Sequence, residues 1–294
     1  MPVRPLVFLF AALLLAACGE KADGPPIDWP APSPALWEVS GPDGARGWLF
    51  GTIHRLPEHA EWSTPALERA FAARDVLVLE ISEYDRPQAT QNLLQRMGRS
   101  EGLPPPAARV AAPLRDDLQT TLERLDLSPA EARRYETWSL ALLLSAALDS
   151  SDAGLGVDRA LFERAEGKPV VALETVAGQF ALFDNLAEAD QVALLEDVLE
   201  DAPSARAKAR SRALSWFLGD LDAIATELDG GIGSDPQLRS ALIDRRNIAW
   251  ADRVQAILTQ RRRPFVAVGT AHLIGAGGLP ALLERRGYTV RRIQ

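Results

Sequence analysis

The 294-residue sequence contains one cysteine, Cys18, and three histidines. A single cysteine cannot form an intramolecular disulfide, and its position near the N-terminus leaves none to bind metal in a folded domain. A surplus of positive charge is also missing, because 40 acidic residues face 32 lysines and arginines, for a formal net charge of −8. Phosphate counterions cannot be displaced without that surplus, so we expect no nucleic-acid partner. Any metal site must use histidines and carboxylates.

The N-terminal apolar stretch is short. It runs from Leu6 to Leu15 and cannot cross ~30 Å of hydrocarbon as a helix. It follows Arg4 and leads into Ala16-Ala17-Cys18, which resembles a bacterial lipobox. We therefore expect residues 1–17 to be a lipoprotein signal peptide and Cys18 to be lipidated; the alternative is an uncleaved anchor or an ordinary signal peptide. Gly19, where aspartate would indicate inner-membrane retention, favours the outer membrane, facing the periplasm.

The rest of the chain is predicted to form one domain behind a tether. Residues 18–34 are rich in proline and glycine, which keeps a segment extended between lipid and domain. Beyond them, strand-like runs cluster at both ends of the chain, and the sequence between is mostly helical in pattern. This predicts a single domain over residues 35–294 of α/β (α+β) class. Its central mixed β-sheet is built from both ends of the chain, with a long helical insertion and helices packed around the sheet.

Short sequence patterns indicate where some of the predicted helices and strands begin or end. Thr64 before Pro65 is typical of a helix start. Ser128 and Glu131 have the spacing of a capping box, and the helix that they open is expected to continue through Trp138. A strand is predicted from Lys168 to Thr175.

One tetrapeptide pattern occurs twice, as Gly51-Thr52-Ile53-His54 and Gly269-Thr270-Ala271-His272. Each copy follows an apolar run that is typical of a buried strand, and strand ends are where sites in α/β sheets are built. Imidazole is both a common metal ligand and a side chain that titrates near neutrality. The repeat therefore indicates metal binding or acid–base chemistry, the alternative being two hydrogen-bonded core histidines at turns. His59, in a Pro-Glu-His loop, is predicted to lie on the surface.

Three carboxylates are candidates to join these histidines. Glu80 stands among five apolar residues of a predicted strand, where an inward carboxylate needs a cation; the alternative is a solvent-facing position on an edge strand. Glu174 is a similar carboxylate near the end of another predicted strand. Asp158 follows Gly156-Val157 and is interpreted as a helix N-cap or as a carboxylate in a ligand shell.

Taken in order, these motifs resemble those of the TraB/GumN family over essentially the whole chain after the tether. The resemblance is carried by Gly51 to His54, Leu79-Glu80, Gly156 to Asp158, Leu173 to Thr175, Arg246-Asn247-Ile248-Ala249-Trp250, and Gly269 to Leu273 with Gly275. The family includes the Tiki proteases and is similar to erythromycin esterases and to ChaN-like haem-binding lipoproteins. The resemblance implies a divalent-metal hydrolase of peptidase type. Its essential residues map onto His54, Glu80 and His272, and its Arg-Asn pair onto Arg246 and Asn247.

The resulting hypothesis is a divalent ion held by His54, Glu80 and His272, with Mn or Co favoured by the resemblance and Zn or Fe as alternatives. Glu174 is expected to act as the general base. Arg246, assisted by Asn247, would stabilise the oxyanion, and Asp158 would be a further ligand or orient an imidazole. The substrate, a peptide or a small molecule, is not specified. The competing hypothesis is a non-catalytic periplasmic lipoprotein that binds haem or a metal.

Overall fold

The structure is a computed structural model that describes residues 29–56, 60–148, 156–165, 167–230 and 234–294. The predicted signal peptide, Cys18, most of the tether and His59 lie outside these ranges. Within them, no helix is both long enough and apolar enough to span a membrane. The strands are β1 Leu36–Ser40, β2 Arg46–Thr52, β3 Val76–Leu79, β4 Val170–Ala172, β5 Pro264–Gly269 and β6 Thr289–Arg292.

These strands form one mixed, six-stranded sheet of order β4-β3-β5-β2-β1-β6. The first four strands in that order run parallel, and β1 is antiparallel to both β2 and β6. Because β5 pairs directly with β2, the two ends of the chain meet in the middle of the sheet. The predicted α/β class and the predicted assembly of the sheet from both chain ends are confirmed.

Helices cover the sheet and make up most of the chain between β3 and β5. They are α1 Pro65–Ala73, α2 Pro87–Met97, α3 Arg115–Arg124, α4 Pro129–Ala132, α5 Thr137–Leu148, α6 Val157–Glu163, α7 Val176–Asp184, α8 Glu188–Asp201, α9 Ala205–Leu218, α10 Leu221–Gly230, α11 Pro236–Arg239, α12 Arg245–Thr259 and α13 Leu279–Arg285. A π-helical turn, Ser240–Asp244, leads into α12.

Strand residues alternate between two buried cores, as the period of two requires. On one face, called the α12 face, Val76, Val78 and Val266 pack with Trp250 and other residues of α12. On the opposite face, called the α6 face, Leu77, Leu79, Phe265 and Ala267 pack with Val157 and Leu161 of α6. A third core lies within the helical insertion and is formed mainly by α5, α7 and α8. The helices are held by these three cores.

Most local signals are confirmed, with two corrections. The Thr64 hydroxyl accepts a hydrogen bond from the amide of Leu67, and Ser128 and Glu131 form a capping box. The helix that begins there does not continue through Trp138: it ends at Ala132, and α5 begins at Thr137. Between them, the Arg109 guanidinium donates to the carbonyls of Arg133 and Tyr135, which gives both carbonyls a partner outside the two helices. The strand predicted from residue 168 to 175 is shorter, Val170–Ala172.

Candidate functional site

The candidate site lies at the carboxyl edge of the four parallel strands. Glu80 directly follows β3, Glu174 lies two residues beyond β4, and His54 and His272 follow β2 and β5. The amide of Glu174 donates to the carbonyl of Glu80 over 2.9 Å, so the β3–β4 register continues into both glutamates. Parallel strands that end together bring these four side chains, which are distant in sequence, to one edge of the sheet.

His54 is held on the α6 side of this edge. Its Nδ1 lies 3.1 Å from Oδ2 of Asp158, and the Thr52 hydroxyl donates to Oδ1 of the same carboxylate over 2.5 Å. Asp158 is buried in the first turn of α6, whose N-cap is Gly156. The interpretation of Asp158 as an N-cap is therefore wrong, because its carboxylate is bonded to His54 and Thr52 instead of to the helix N-terminus.

Gly156 makes this arrangement sterically possible. A Cβ built on Gly156 would lie 2.1 Å from the carbonyl oxygen of His54. Next to it, the amide of Val157 donates to the carbonyl of Ile53 over 3.0 Å. The start of α6 is therefore tied to the backbone of the first histidine motif, which is the close approach that only glycine permits.

His272 is held on the α12 side of the edge and is buried. Its Nδ1 lies 2.6 Å from Oδ1 of Asn247, and its ring centroid lies 4.4 Å from that of Trp250. Because the amide oxygen can only accept, Nδ1 carries the hydrogen, and Nε2 accepts from Nη1 of Arg246 over 3.2 Å. The Nδ2 group of Asn247 donates to the carbonyl of Gly277 over 2.9 Å. Both ends of the Asn247 amide are thus used to fix His272.

Arg246 is the centre of the charged network. Its Nη2 donates to Oε2 of Glu80 over 3.0 Å, and the same group and Nε donate to Glu174. Its Nη1 also donates to the carbonyl of Leu242 over 2.8 Å, and its guanidinium carbon lies 4.5 Å from the centroid of a Trp250 ring. The α12 helix thereby supplies the cation that the sequence required for Glu80.

The two glutamates are further connected by an amide side chain. Gln179 of α7 donates to Oε1 of Glu174 over 3.0 Å and to Oε2 of Glu80 over 3.3 Å. The other oxygen of Glu80 accepts from the amide of Gly269 over 2.8 Å, at the start of the second histidine motif. Glu80 is buried between neighbouring strands, so its alternative placement on a solvent-facing edge is wrong.

The two histidines differ in protonation. Burial alone would lower the pKa of His54, but the Asp158 carboxylate raises it to about 9. Burial and the positive charges of Arg246 and His54 hold the pKa of His272 well below its ordinary value. Burial also raises the pKa of Glu80, with Arg246 acting in the opposite direction. At neutral pH the site contains an imidazolium at His54 and a neutral imidazole at His272.

The family resemblance implies a divalent ion held by side chains at this edge of the sheet. In the described ranges, no three His, Cys, Asp or Glu side chains come together as a metal-binding group. Nε2 of His272 and Oε1 of Glu80 are 4.0 Å apart, but the Arg246 guanidinium is bonded to both side chains. The donor atoms are of a suitable chemical type. Their arrangement does not fit the ion, because a fixed positive charge occupies the place beside them.

Three further residues of the site were not identified from the sequence. Thr52 belongs to the repeated tetrapeptide, and its counterpart Thr270 donates to the carbonyl of Thr52 over 3.0 Å; the repetition itself was the signal. Trp250 was part of the motif around Arg246, but its stacking role was not predicted. Gln179 had no signal, because a glutamine inside a helix is ordinary in composition.

The fold and the site define an α/β protein in which an acid–base cluster lies at the carboxyl edge of parallel strands. The chain belongs to the TraB/PrgY/gumN family, whose profile matches residues 35–292. The resemblance drawn from the motifs is therefore confirmed.

The relatives are proteins whose names state no function. The proteins called uncharacterized protein YbaP in Shigella flexneri and in Escherichia coli (strain K12) are each 27% identical over 267 residues, covering 87% of this chain and 92% of the relative. An uncharacterized protein of Treponema pallidum (strain Nichols) is 23% identical over 267 residues, covering 85% of this chain and 80% of the relative's length. No solved structure matches.

Proposed function

We propose that the protein is a hydrolase of the bacterial envelope that adds water to the carbonyl group of a peptide or of a small-molecule ester or amide. The observation that carries this proposal is the gathering of the His54–Asp158 pair and the Arg246-centred carboxylates at one sheet edge. His54 and Glu174 keep 16% and 15% of their side chains exposed, whereas those of Glu80 and His272 keep 3% and 1%. The first two are the groups that a substrate can reach.

In the proposed reaction, Glu174 acts as the base and His54 as the acid. Glu174 accepts a proton from water while the water oxygen bonds to the carbonyl carbon, giving a tetrahedral oxyanion. As that intermediate collapses, the bond to the leaving nitrogen or oxygen breaks, and Nε2 of His54 donates a proton to the leaving group. The proton held by Glu174 returns to His54 through water. The sum is one water consumed, and one carboxylic acid and one amine or alcohol released.

The buried residues support this chemistry by position. Arg246 orients Glu174 through two of its nitrogens. Asn247, which was predicted to assist at the oxyanion, is bonded at both ends within the protein and supports the orientation of His272. Asp158 fixes the His54 ring and favours its protonated form. The oxyanion role of Arg246 stays a prediction.

A divalent ion at His54, Glu80 and His272 also stays a prediction. To bind there, Mn or Co, or alternatively Zn or Fe, would have to displace Arg246 from Glu80 and His272. Hydrolysis should therefore be measured both with and without added metal. The same holds for haem as an alternative ligand of the two histidines.

The test is hydrolysis by the full-length chain of fluorogenic peptides and activated esters, first in chelator and then with added Mn, Co or Zn. We expect activity in chelator that is lost in both the His54→Ala and the Glu174→Gln variants. His59→Ala is the matched control and should keep wild-type activity. Activity that appears only with added metal would support the metal-dependent form and overturn the metal-free proton transfers given above.

The competing function, haem binding without catalysis, would give a different result. Haem binding, detected as a Soret shift that is lost after His54→Ala and His272→Ala, together with no hydrolysis under any condition, would overturn the hydrolase proposal. It would support the periplasmic binding lipoprotein instead.

We also propose that Cys18 carries lipid and holds the domain at the outer membrane, facing the periplasm. The support is the lipobox-like sequence before Cys18. In membrane fractionation, wild type should sediment with the outer membrane and Cys18→Ser should be released or retain its signal peptide. Wild-type fractionation of the Cys18→Ser variant would contradict the anchor.

A further inference from the structure

Tyr84 packs beside the helix that carries Asp158. It stands in a short 3₁₀ turn, Glu83–Asp85, four residues after Glu80. Its ring packs against Phe162 of α6 with centroids 5.5 Å apart, and Phe162 follows Asp158 by four residues on the same helix. Residues four apart share a helix face, so Tyr84 is set against the face of α6 that carries Asp158.

The packing of Tyr84 also connects the two sides of the site. Its ring contacts the core of the α6 face, which contains Val157 and Leu161. It contacts the core of the helical insertion as well, which contains Ile81 and Ala271. Ala271 immediately precedes His272. The tyrosine therefore lies between the core of the α6 face and the core of the helical insertion.

The hydroxyl of Tyr84 has no hydrogen-bond partner among the described residues. Burial, and the carboxylates of Asp158, Glu80 and Glu83, raise the pKa of Tyr84 well above its ordinary value. The phenol therefore stays protonated throughout the physiological pH range and can donate to an acceptor oxygen.

Apart from Nε2 of His54, which is assigned to the leaving group, the donors named for the site are committed to internal partners. Arg246 donates to Glu80, Glu174 and the carbonyl of Leu242. The amide nitrogens of Gln179 and Asn247 donate to the two glutamates and to the carbonyl of Gly277. A substrate carbonyl that becomes an oxyanion needs a donor that is not already engaged.

We propose that Tyr84 is that donor: its hydroxyl binds the substrate carbonyl oxygen and stabilises the negative charge that develops there. This assignment rests on the proposed hydrolase function. Since the phenol keeps its proton, no bond to hydrogen is broken in this role. A donor whose ring is held by packing against Phe162 and two hydrophobic cores requires little reorganisation when charge develops.

The test compares Tyr84→Phe with Tyr288→Phe in the full-length chain. Tyr288 is a buried tyrosine that packs at the Gly41 turn between β1 and β2. Both changes remove one hydroxyl and keep the ring. We expect Tyr84→Phe to lower kcat by about 10²-fold or more with KM nearly unchanged, because removing one oxyanion donor costs about that much. Tyr288→Phe should keep the wild-type kcat.

Thermal unfolding separates this role from a structural one. Removal of a hydroxyl that bonds no described residue should leave the Tm of Tyr84→Phe at or above that of wild type. If wild type is active and Tyr84→Phe keeps its kcat, or changes only KM, the assignment of Tyr84 is overturned and the hydrolase proposal stands. If wild type hydrolyses none of the substrates under any metal condition, the hydrolase proposal fails and the assignment fails with it.

Discussion

Replacement of Arg246 by methionine tests the charged network most directly. Only 5% of Arg246 is exposed, and its guanidinium is the cation for Glu80 and Glu174. Methionine keeps much of the side-chain length and the contact with Trp250, but it leaves a buried carboxylate without its counter-ion. Breaking a buried ion pair from one side costs about 3–5 kcal/mol. For a domain of this size, that corresponds to a fall in Tm of roughly 6–20 °C.

The matched control is Arg253→Met on the same helix. Arg253 is exposed and donates to the carbonyls of Ala172 and Leu173. Loss of neutral hydrogen bonds at the surface should cost about 1 kcal/mol or less. Urea unfolding followed by tryptophan fluorescence measures both variants, and an unchanged m-value would show that the same surface is exposed on unfolding.

A second substitution distinguishes the charge effect from packing. Adding Glu80→Gln to Arg246→Met neutralises the unpaired carboxylate, so the double variant should be more stable than Arg246→Met alone. If Arg246→Met costs no more than Arg253→Met, the buried ion pairs contribute nothing. If Glu80→Gln makes the Arg246→Met variant still less stable, the cost does not come from an uncompensated charge. Either result would refute the reasoning.

Three other predictions follow from single contacts. Gly156→Ala should destabilise the domain by about 1–3 kcal/mol, since its Cβ would meet the His54 carbonyl at 2.1 Å. The control is Gly178→Ala, whose Cβ would meet the Thr175 hydroxyl at 3.3 Å. This control should change stability by less than about 1 kcal/mol. Thr52→Val should cost about 1–3 kcal/mol in urea unfolding by leaving Oδ1 of Asp158 without its donor, and a cost no larger than that of Thr120→Val on the surface of α3 would contradict this. The hydrogen bonds from Arg263 hold the pKa of Asp75 below its ordinary 3.8. The stability that they add is therefore present above about pH 4 and is lost as pH falls further. The difference in Tm between wild type and Asp75→Asn should shrink over that range, and a difference that grows on acidification would contradict the assignment.

The sheet could be predicted because its signals are local. Apolar runs bounded by glycine or proline marked the strands, and the His motifs at both chain ends indicated that the ends meet. The break between α4 and α5 could not be predicted in the same way. It depends on Arg109, more than twenty residues earlier, whose guanidinium takes the carbonyls of Arg133 and Tyr135. Contacts between distant residues leave no trace in a local pattern.

At the site as well, the sequence indicates which residue types are needed but not which residues they pair with. That Glu80 needs a cation was evident from a carboxylate within an apolar strand, but the identity of the cation was not. The sequence favoured a metal ion, whereas the described structure pairs Glu80 with Arg246. A buried carboxylate is satisfied by either kind of charge. Only the path of α12 past the strand ends decides between them, and that path is a property of the tertiary fold.

The two copies of the repeated tetrapeptide share a backbone position and differ in chemistry. Both histidines follow central parallel strands, and the paired register of Thr52 with Gly269 sets the motifs side by side. His54 then meets the carboxylate of Asp158, while His272 meets the neutral amide of Asn247 and the cation of Arg246. A carboxylate favours imidazolium, and an amide beside a guanidinium favours neutral imidazole. One local sequence used twice therefore yields one histidine with a raised pKa and one with a lowered pKa, because the helix that packs on each side, α6 or α12, supplies the partner.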